Sequence, residues 1–406
     1  RMSYYLDFDL AGGVIYSTYM NKQRLASIYL IILLAIIGGY FAWQQLQHSD
    51  TATRENQAQN QTIKTSTDAL IERLEKQLAD NPEEFKTYIS LANAYNQKVR
   101  ESADVAYYQK INDLMDRAES KFPNDPNIYS TRANVLLGRH DFYEALTLIE
   151  KSIKLDPREP VYYSIATDGY VETGQYDKAV KATDAMLSLK PGSYAYTRAA
   201  YLRELYGDID GAIELMEQAA ETPSSFPENS AWAYVELGKL YGRSDDTAAK
   251  RAFESALQIV PDYPPALEGL GKLAAGKQNY TEAIEYFKKA FDILPIAQYA
   301  IDLGDSYRKA NDQTKALQYY SLAKIAFSTS KSSGVDTDLE EAAFLLDRDL
   351  DIEIALQKAQ AAYAKRPSIF AADVLAWGYY KNGKLADAIK YGKEAMRIPH
   401  KSGEIF

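Results

Sequence analysis

The side chains whose types and spacing could do chemistry are few. Asp347, Asp349 and Asp351 alternate in LLDRDLDIE, a pattern of oxygen ligands that would suit a hard cation. A charged turn between two helices explains the same run and is the reading taken here. His48, His140 and His400 are the only histidines, and they fall in three separate regions, so each is read as a solvated or loop residue. The absence of cysteine removes disulfides, thiolate nucleophiles, iron–sulfur clusters and cysteine-based zinc sites together. No glycine-rich phosphate loop, His-Glu-x-x-His or Gly-x-Ser-x-Gly motif occurs, and Gly12-Gly13 and Gly38-Gly39 are isolated pairs. The expectation is a non-enzymatic protein with no catalytic residue, no cofactor and no metal. A net charge of −10, with acids and bases interspersed, offers no basic footprint for nucleic acid.

What the sequence does carry is a periodic framework. The composition is 46% hydrophobic and 25% charged, in the range of folded chains, so wholesale disorder is not expected. In Pro264 to Pro295, Leu270-Gly271 sit within a first apolar-periodic helix, Gly276 begins a turn, and Ala283, Phe287 and Ala290 share one face of a second helix. Small Ala positions let antiparallel helices approach closely while Phe287 fills the space between them. The small residue opening the second helix recurs at Ala145, Ala179, Ala212, Ala249, Ala283, Ala316, Ala355 and Ala388, mostly 33 or 34 apart. Prolines close the units at Pro157, Pro191, Pro223, Pro261, Pro295, Pro367 and Pro399. Asp141 and Asp177, at the turns, are read as caps of second helices. A lone helix over Asp68 to Pro82 opens the array, and a divergent unit with Leu91-Ala92, Tyr95, Ala118 and Pro123 follows it. Two polar segments, 221–230 and 328–338, read as irregular surface loops.

This pattern resembles the tetratricopeptide repeat, with Leu-Gly-x-x-Tyr intact at Leu237-Gly238 with Tyr241 and at Leu303-Gly304 with Tyr307. From Tyr194 onward the chain is similar to long bacterial members of that family. The resemblance implies an all-α, right-handed superhelical solenoid of antiparallel helix pairs, about nine of them over 68–406, with stability distributed along the array. The ending SGEIF reads as the opening of a further first helix, so the array is expected to continue past Phe406, and since Arg1 is no initiator the chain is expected to be a fragment at that end too. The resemblance also places a groove along the first helices, with candidate residues Asn93, Asn134, Asp168, Tyr194, Thr197, Tyr201 and Glu204. The Lys/Asn/Arg clamp that some members use for acidic C-terminal peptides is not reproduced, because Ile89 and Ser130 stand where Lys is required. The 33 tyrosines, paired at Tyr107-Tyr108, Tyr162-Tyr163, Tyr319-Tyr320 and Tyr379-Tyr380, are read mainly as repeat packing, with a peptide-binding surface as the functional alternative.

Ahead of the array, Leu25 to Trp43 runs without a charge for 19 residues, which at about 1.5 Å per residue reaches across a bilayer's hydrocarbon core. Tyr29 lies near one end and Tyr40, Phe41 and Trp43 at the other, where interfacial rings belong. No small-residue cleavage site follows, so an uncleaved single transmembrane helix is expected. Lys22 and Arg24 precede it and the next basic residue is Arg54, which places the N-terminus in the cytoplasm and the array outside. The expected organisation is a cytoplasmic segment over 1–24, the membrane helix over 25–43, a polar flexible tether over 44–67 and the repeats over 68–406. The function this implies is a cell-membrane scaffold or adaptor that binds protein or extended peptide partners outside the cytoplasm. The alternative left open is the regulatory portion of a larger enzyme whose catalytic domain lies outside this sequence.

Overall fold

A computed structural model describes residues 66–224 and 226–398. The expected cytoplasmic segment, membrane helix and most of the tether lie outside the described residues, as do His48, His400 and SGEIF. Among the described residues there are nineteen helices and no strand, and no helix is long and apolar enough to cross a membrane. Contacts divide the chain into units 1–69 and 70–406, and the second is described here.

Helix α1 (Ser66–Asp80), which begins two residues before the expected start of the array, stands alone. The others pair in sequence: α2 (Phe85–Ser102) with α3 (Ala106–Lys121), α4 (Pro126–Gly138) with α5 (Phe142–Leu155), and α6 (Pro160–Glu172) with α7 (Tyr176–Leu189). Next come α8 (Ser193–Leu205) with α9 (Ile209–Glu221), α10 (Pro227–Tyr241) with α11 (Asp246–Ile259), and α12 (Pro264–Gly276) with α13 (Tyr280–Ile293). The last three pairs are α14 (Ala297–Lys309) with α15 (Gln313–Ser332), α16 (Asp338–Asp347) with α17 (Ile352–Lys365), and α18 (Ile369–Lys381) with α19 (Leu385–Ala395).

The recurring alanines explain the pairing. Ala145, Ala179, Ala212, Ala249, Ala283, Ala316 and Ala355 are at most 1% exposed, because each sits where two helices approach most closely. Ala388 is only half-buried, since among the described residues no helix follows α19 to cover it, and Leu385 and Ile389 are left exposed beside it. The Leu-Gly element has a steric role. A Cβ added at Gly271 would lie 2.5 Å from Cε1 of the buried Phe287 ring, Gly304 abuts Tyr320 in the same way, and Phe253 is gripped by Gly238 and Gly269 from two successive pairs. Core clusters run from pair to pair, as where Ile71, Leu74 and Leu78 of α1 meet Tyr88, Leu91 and Tyr95 of α2.

The turns inside the pairs repeat one backbone geometry. His140, Gly174, Gly207, Gln278, Asn311 and Gly383 all take a positive φ, and the next residue's N–H bonds back to a carbonyl five residues earlier, as Asp141 to Leu136 (2.8 Å) and Gln175 to Tyr170 (2.8 Å). Side-chain capping falls elsewhere than expected. Asp141 holds the N-cap position but makes no cap hydrogen bond and lies 4.0 Å from Arg139, while Asp177 is already inside α7, where it faces the helix dipole. Asp208, Asp245, Asn279 and Asp312 are the residues that accept backbone N–H bonds at second-helix N-termini.

Both expected loops are shorter than their polar composition suggested. The first narrows to 222–226, and α15 extends to Ser332, leaving only 333–337 as connection. Phe327 holds that extra turn in place by packing on Phe344 at 6.0 Å. The tyrosines divide. Tyr88, Tyr162, Tyr263 and Tyr299 are buried, whereas Tyr143, Tyr194, Tyr201 and Tyr380 are more than a third exposed. Several hydroxyls tie a first helix to the helix before it, as Tyr95 to Glu75 (2.7 Å) and Tyr170 to Glu150 (2.8 Å).

Candidate groove on the first helices

Consecutive first helices present two cavities. The first, of about 250 Å³, is lined by Ile89, Asn93 and Asn96 of α2, by Asn127, Ser130, Thr131 and Asn134 of α4, and by Val161, Tyr162 and Ile165 of α6. Its polar lining is the carboxamides of Asn93, Asn96, Asn127 and Asn134 together with Ser130, Thr131, Tyr162 and the carboxylate Glu159. The Asn127 side chain is committed, accepting from the Tyr162 hydroxyl at 3.0 Å and donating to Asp125 at 2.9 Å. The exposed Asn93 and the half-buried Asn96 and Asn134 line the same space. Each amide offers donors and an acceptor at one point, which matches the alternating carbonyl and N–H of an extended peptide.

The second cavity, about 350 Å³, is formed by α6, α8, α9 and α10. Asp168, Val171 and Glu172 come from α6; Thr197, Arg198, Tyr201 and Glu204 from α8; Met216 from α9; and Trp232, Glu236, Lys239 and Leu240 from α10. Trp232 is 39% and Tyr201 37% exposed, so two aromatic faces remain free among charged neighbours. Arg198 grips Asp168 along one guanidinium edge, Nε donating to one carboxylate oxygen at 3.1 Å and Nη2 to the other at 2.6 Å. Burial alone would lower the Arg198 pKa, but the Asp168 carboxylate outweighs it and holds the guanidinium above its usual value. Burial pushes the Glu204 carboxyl up against the pull of its partner Arg243, and does the same at Glu172 against Arg366. Burial likewise raises the Tyr201 phenol. Lys239 pairs with Glu236 at 2.8 Å.

The polar row continues beyond Glu236. Lys272 and Glu268 of α12 meet at 2.5 Å, and Asp302 of α14 accepts from Gln298 at 2.9 Å. Asp302 is pushed up to about 7, chiefly by burial and against the pull of Lys272, and its second oxygen is buried without a hydrogen-bond partner.

Of the residues expected along the groove, Asn93 and Asn134 therefore lie in the first cavity, and Asp168, Thr197, Tyr201 and Glu204 in the second. Tyr194 lines neither; it is 58% exposed, with Arg198 over its ring at 5.9 Å. Trp232, Glu236 and Lys239 were missed, although a signal existed. They follow Thr197, Tyr201 and Glu204 by 35 residues, and the connection 222–226 shifts the usual step by one. Ile89 and Ser130, the positions that depart from the clamp, line the first cavity.

Elsewhere the side chains set aside as chemistry find partners. Asp349 meets Lys381 at 2.6 Å, Asp351 meets Lys324 at 2.9 Å, and Asp347 lies 3.9 Å from Arg348. No group of three His, Asp or Glu side chains among the described residues is placed to share a cation. His140 stacks on Phe142 at 5.4 Å and brings Nδ1 to 2.6 Å from the Asp336 carbonyl oxygen.

Comparison with known proteins agrees with this geometry. A tetratricopeptide-repeat family model matches residues 238–295. The anaphase-promoting complex subunit CDC16 of Saccharomyces cerevisiae is 24% identical over 237 residues, 55% of this chain and 28% of its own length. A TPR repeat-containing protein of Methanocaldococcus jannaschii is 24% identical over 324 residues, 75% of this chain and 52% of its own length. The chain thus spans about half or less of the length of these relatives. Among solved structures, the Cut9 and Hcn1 hetero-tetramer superposes with a TM-score of 0.51 at 18% identity, covering 78% of this chain and 60% of that one, a likeness of fold. Residues 238–295 thus match the tetratricopeptide repeat, and the helix pairs and buried alanines on either side of them repeat the same architecture.

Proposed function

We propose that this protein is a non-enzymatic interaction scaffold, anchored in the cell membrane by Leu25 to Trp43, that holds extended segments of other proteins along its first helices outside the cytoplasm. The observation that carries this reading is the pair of consecutive cavities, amide-lined and then aromatic and charged, on α2 to α10. Asn93, Asn96 and Asn134 suit the backbone of an extended segment whatever its sequence, while Trp232 and Tyr201 supply apolar anchors that select side chains. A membrane tether would raise the local concentration of groove near envelope partners without changing its intrinsic affinity. The charge bias of Lys22 and Arg24 supports the outward placement of the array.

Two experiments test the parts separately. Carbonate extraction should leave the full chain in the membrane fraction, and a variant lacking 25–43 should be released; release of the full chain would remove the anchor. A reporter fused after Phe406 should be active only outside the cytoplasm. Activity confined to the cytoplasm would reverse the orientation and leave the groove untouched.

A further inference from the structure

Pairs far apart in sequence meet along one edge of the array. The turn after α4 docks on the connection between α15 and α16, where Arg139 Nε donates to the Gly334 carbonyl (3.1 Å) and the Asp336 N–H donates to the Arg139 carbonyl (3.2 Å). His140 joins the same contact through Asp336. The turn after α6 docks one pair further on. There the Ile369 N–H donates to the Tyr176 hydroxyl (2.8 Å), Arg366 reaches both Glu172 (3.4 Å) and Glu340 (2.8 Å), and Arg397 donates to the Pro367 carbonyl (2.8 Å). Ile369 and Ile398 share a buried cluster with Val171, Tyr176, Leu202 and Leu205. The cross-contacts at Arg139, His140, Glu172 and Tyr176 join residues 193 to 196 apart, so the turns of the second and third pairs abut the connections of the last three.

This seam is built differently from the helix interfaces. Its hydrogen bonds come from loop backbone, helix ends and ion pairs, with one buried apolar cluster at Ile369 and Ile398 behind them. None of these bonds belongs to a helix's own ladder, so the contact can open before the helices melt. It also shares residues with the second cavity. Glu172 and Val171 line that cavity, and they are the residues held by Arg366 and packed beside Ile369 across the seam. The Arg366 side chain is 8% exposed, so losing it would leave Glu172 as an unmatched carboxylate at the cavity wall.

We propose that the seam is a latch on the wall of the second cavity: held shut by Arg366 on Glu172 and by Ile369 on Tyr176, it opens as a unit without loss of helix, and opening it widens the cavity at Val171 and Glu172 and uncovers the buried Thr197. Because both processes use Glu172 and Val171, occupancy of the cavity and closure of the seam are linked, and each shifts the other. This does not depend on which ligand the groove takes.

The cysteine-free sequence allows a direct test in the full chain. Glu144→Cys and Ser332→Cys, exposed positions on either side of the seam, would carry spin labels with no background. Wild type should give one short distance. Arg366→Glu sets a third carboxylate beside Glu172 and Glu340 and should move most of the population to a longer distance at unchanged helix content by circular dichroism. Combining it with Glu172→Arg should restore the short one. In a second readout, a single Thr197→Cys in the cavity should react with a bulky maleimide at least about ten-fold faster when Arg366→Glu is present, a shift of about 1.4 kcal/mol in the opening equilibrium. An unchanged distance in Arg366→Glu, opening that occurs only with loss of helix, or an unchanged maleimide rate would each overturn the latch.

Discussion

Gly271→Ala tests the packing rule on which the repeat depends. The new Cβ would stand 2.5, 2.7 and 2.9 Å from Cε1, Cδ1 and Cζ of Phe287, and the ring is 2% exposed, enclosed by Ala274, Ala283 and Leu303. It has no free space into which to turn. Overpacking of this kind costs about 1–3 kcal/mol. Replacing a helical glycine by alanine gains up to about 1 kcal/mol, so the net expectation is a loss of about 0–2 kcal/mol. Gly276 on the same helix supplies the control, because a Cβ there would meet nothing within 4 Å, and Gly276→Ala should be neutral or stabilising. The two alanine variants should therefore differ by about 1–3 kcal/mol in urea unfolding followed by far-ultraviolet circular dichroism. Phe287→Leu should relieve the clash, making the Gly271→Ala, Phe287→Leu double variant more stable than the sum of the single losses. Equal stability of Gly271→Ala and Gly276→Ala, or strict additivity in the cycle, would refute the claim that glycine is present to admit the ring.

Two further outcomes follow from particular groups. Asp302 has its carboxyl raised from 3.8 to about 7, so the folded state holds a proton that the unfolded state has released between those values; stability contributed at this site therefore falls as pH rises through that window and levels off above it. Asp302→Asn should raise the melting temperature at pH 8 and much less at pH 4, with up to about 4 kcal/mol at stake; an equal gain at both pH values would contradict the assignment. Tyr176→Phe removes the acceptor of the Ile369 N–H, a fully buried amide, and should cost about 1–3 kcal/mol locally. Hydrogen exchange at the Ile369 amide should speed up while amides at the centre of α13 keep their protection.

The repeat was legible because each unit imposes the same local demand. An alanine at every helix crossing and a glycine against an aromatic ring leave a periodic trace whatever lies nearby, and Ala283, Gly271 and Phe287 show it together. The groove was legible only while the period held. The shift introduced by 222–226 hid Trp232, Glu236 and Lys239, although each continues the row through Thr197, Tyr201 and Glu204. The seam left no trace at all. Arg139, Glu172, Tyr176 and Arg366 occupy turns or helix ends that look like ordinary repeat edges, and only the geometry of the folded array joins residues nearly two hundred positions apart. Capping misled too, since Asp141 has the right residue type at the right place yet makes no cap hydrogen bond and lies 4.0 Å from Arg139, beside the seam.

The proposed scaffold function depends on the groove as the binding surface. The direct measurement is affinity selection of a random extended-peptide library on the detergent-solubilised full chain, with Kd values then determined for the enriched sequences. Truncating a central aromatic anchor typically costs about 2 kcal/mol or more, so Trp232→Ala with Tyr201→Ala should weaken those peptides by at least about thirty-fold. Ile325→Ala, at an exposed position on a second helix, should leave them unchanged. Failure to enrich any peptide, or equal binding by the Trp232 and Tyr201 double variant, would contradict the groove as the site.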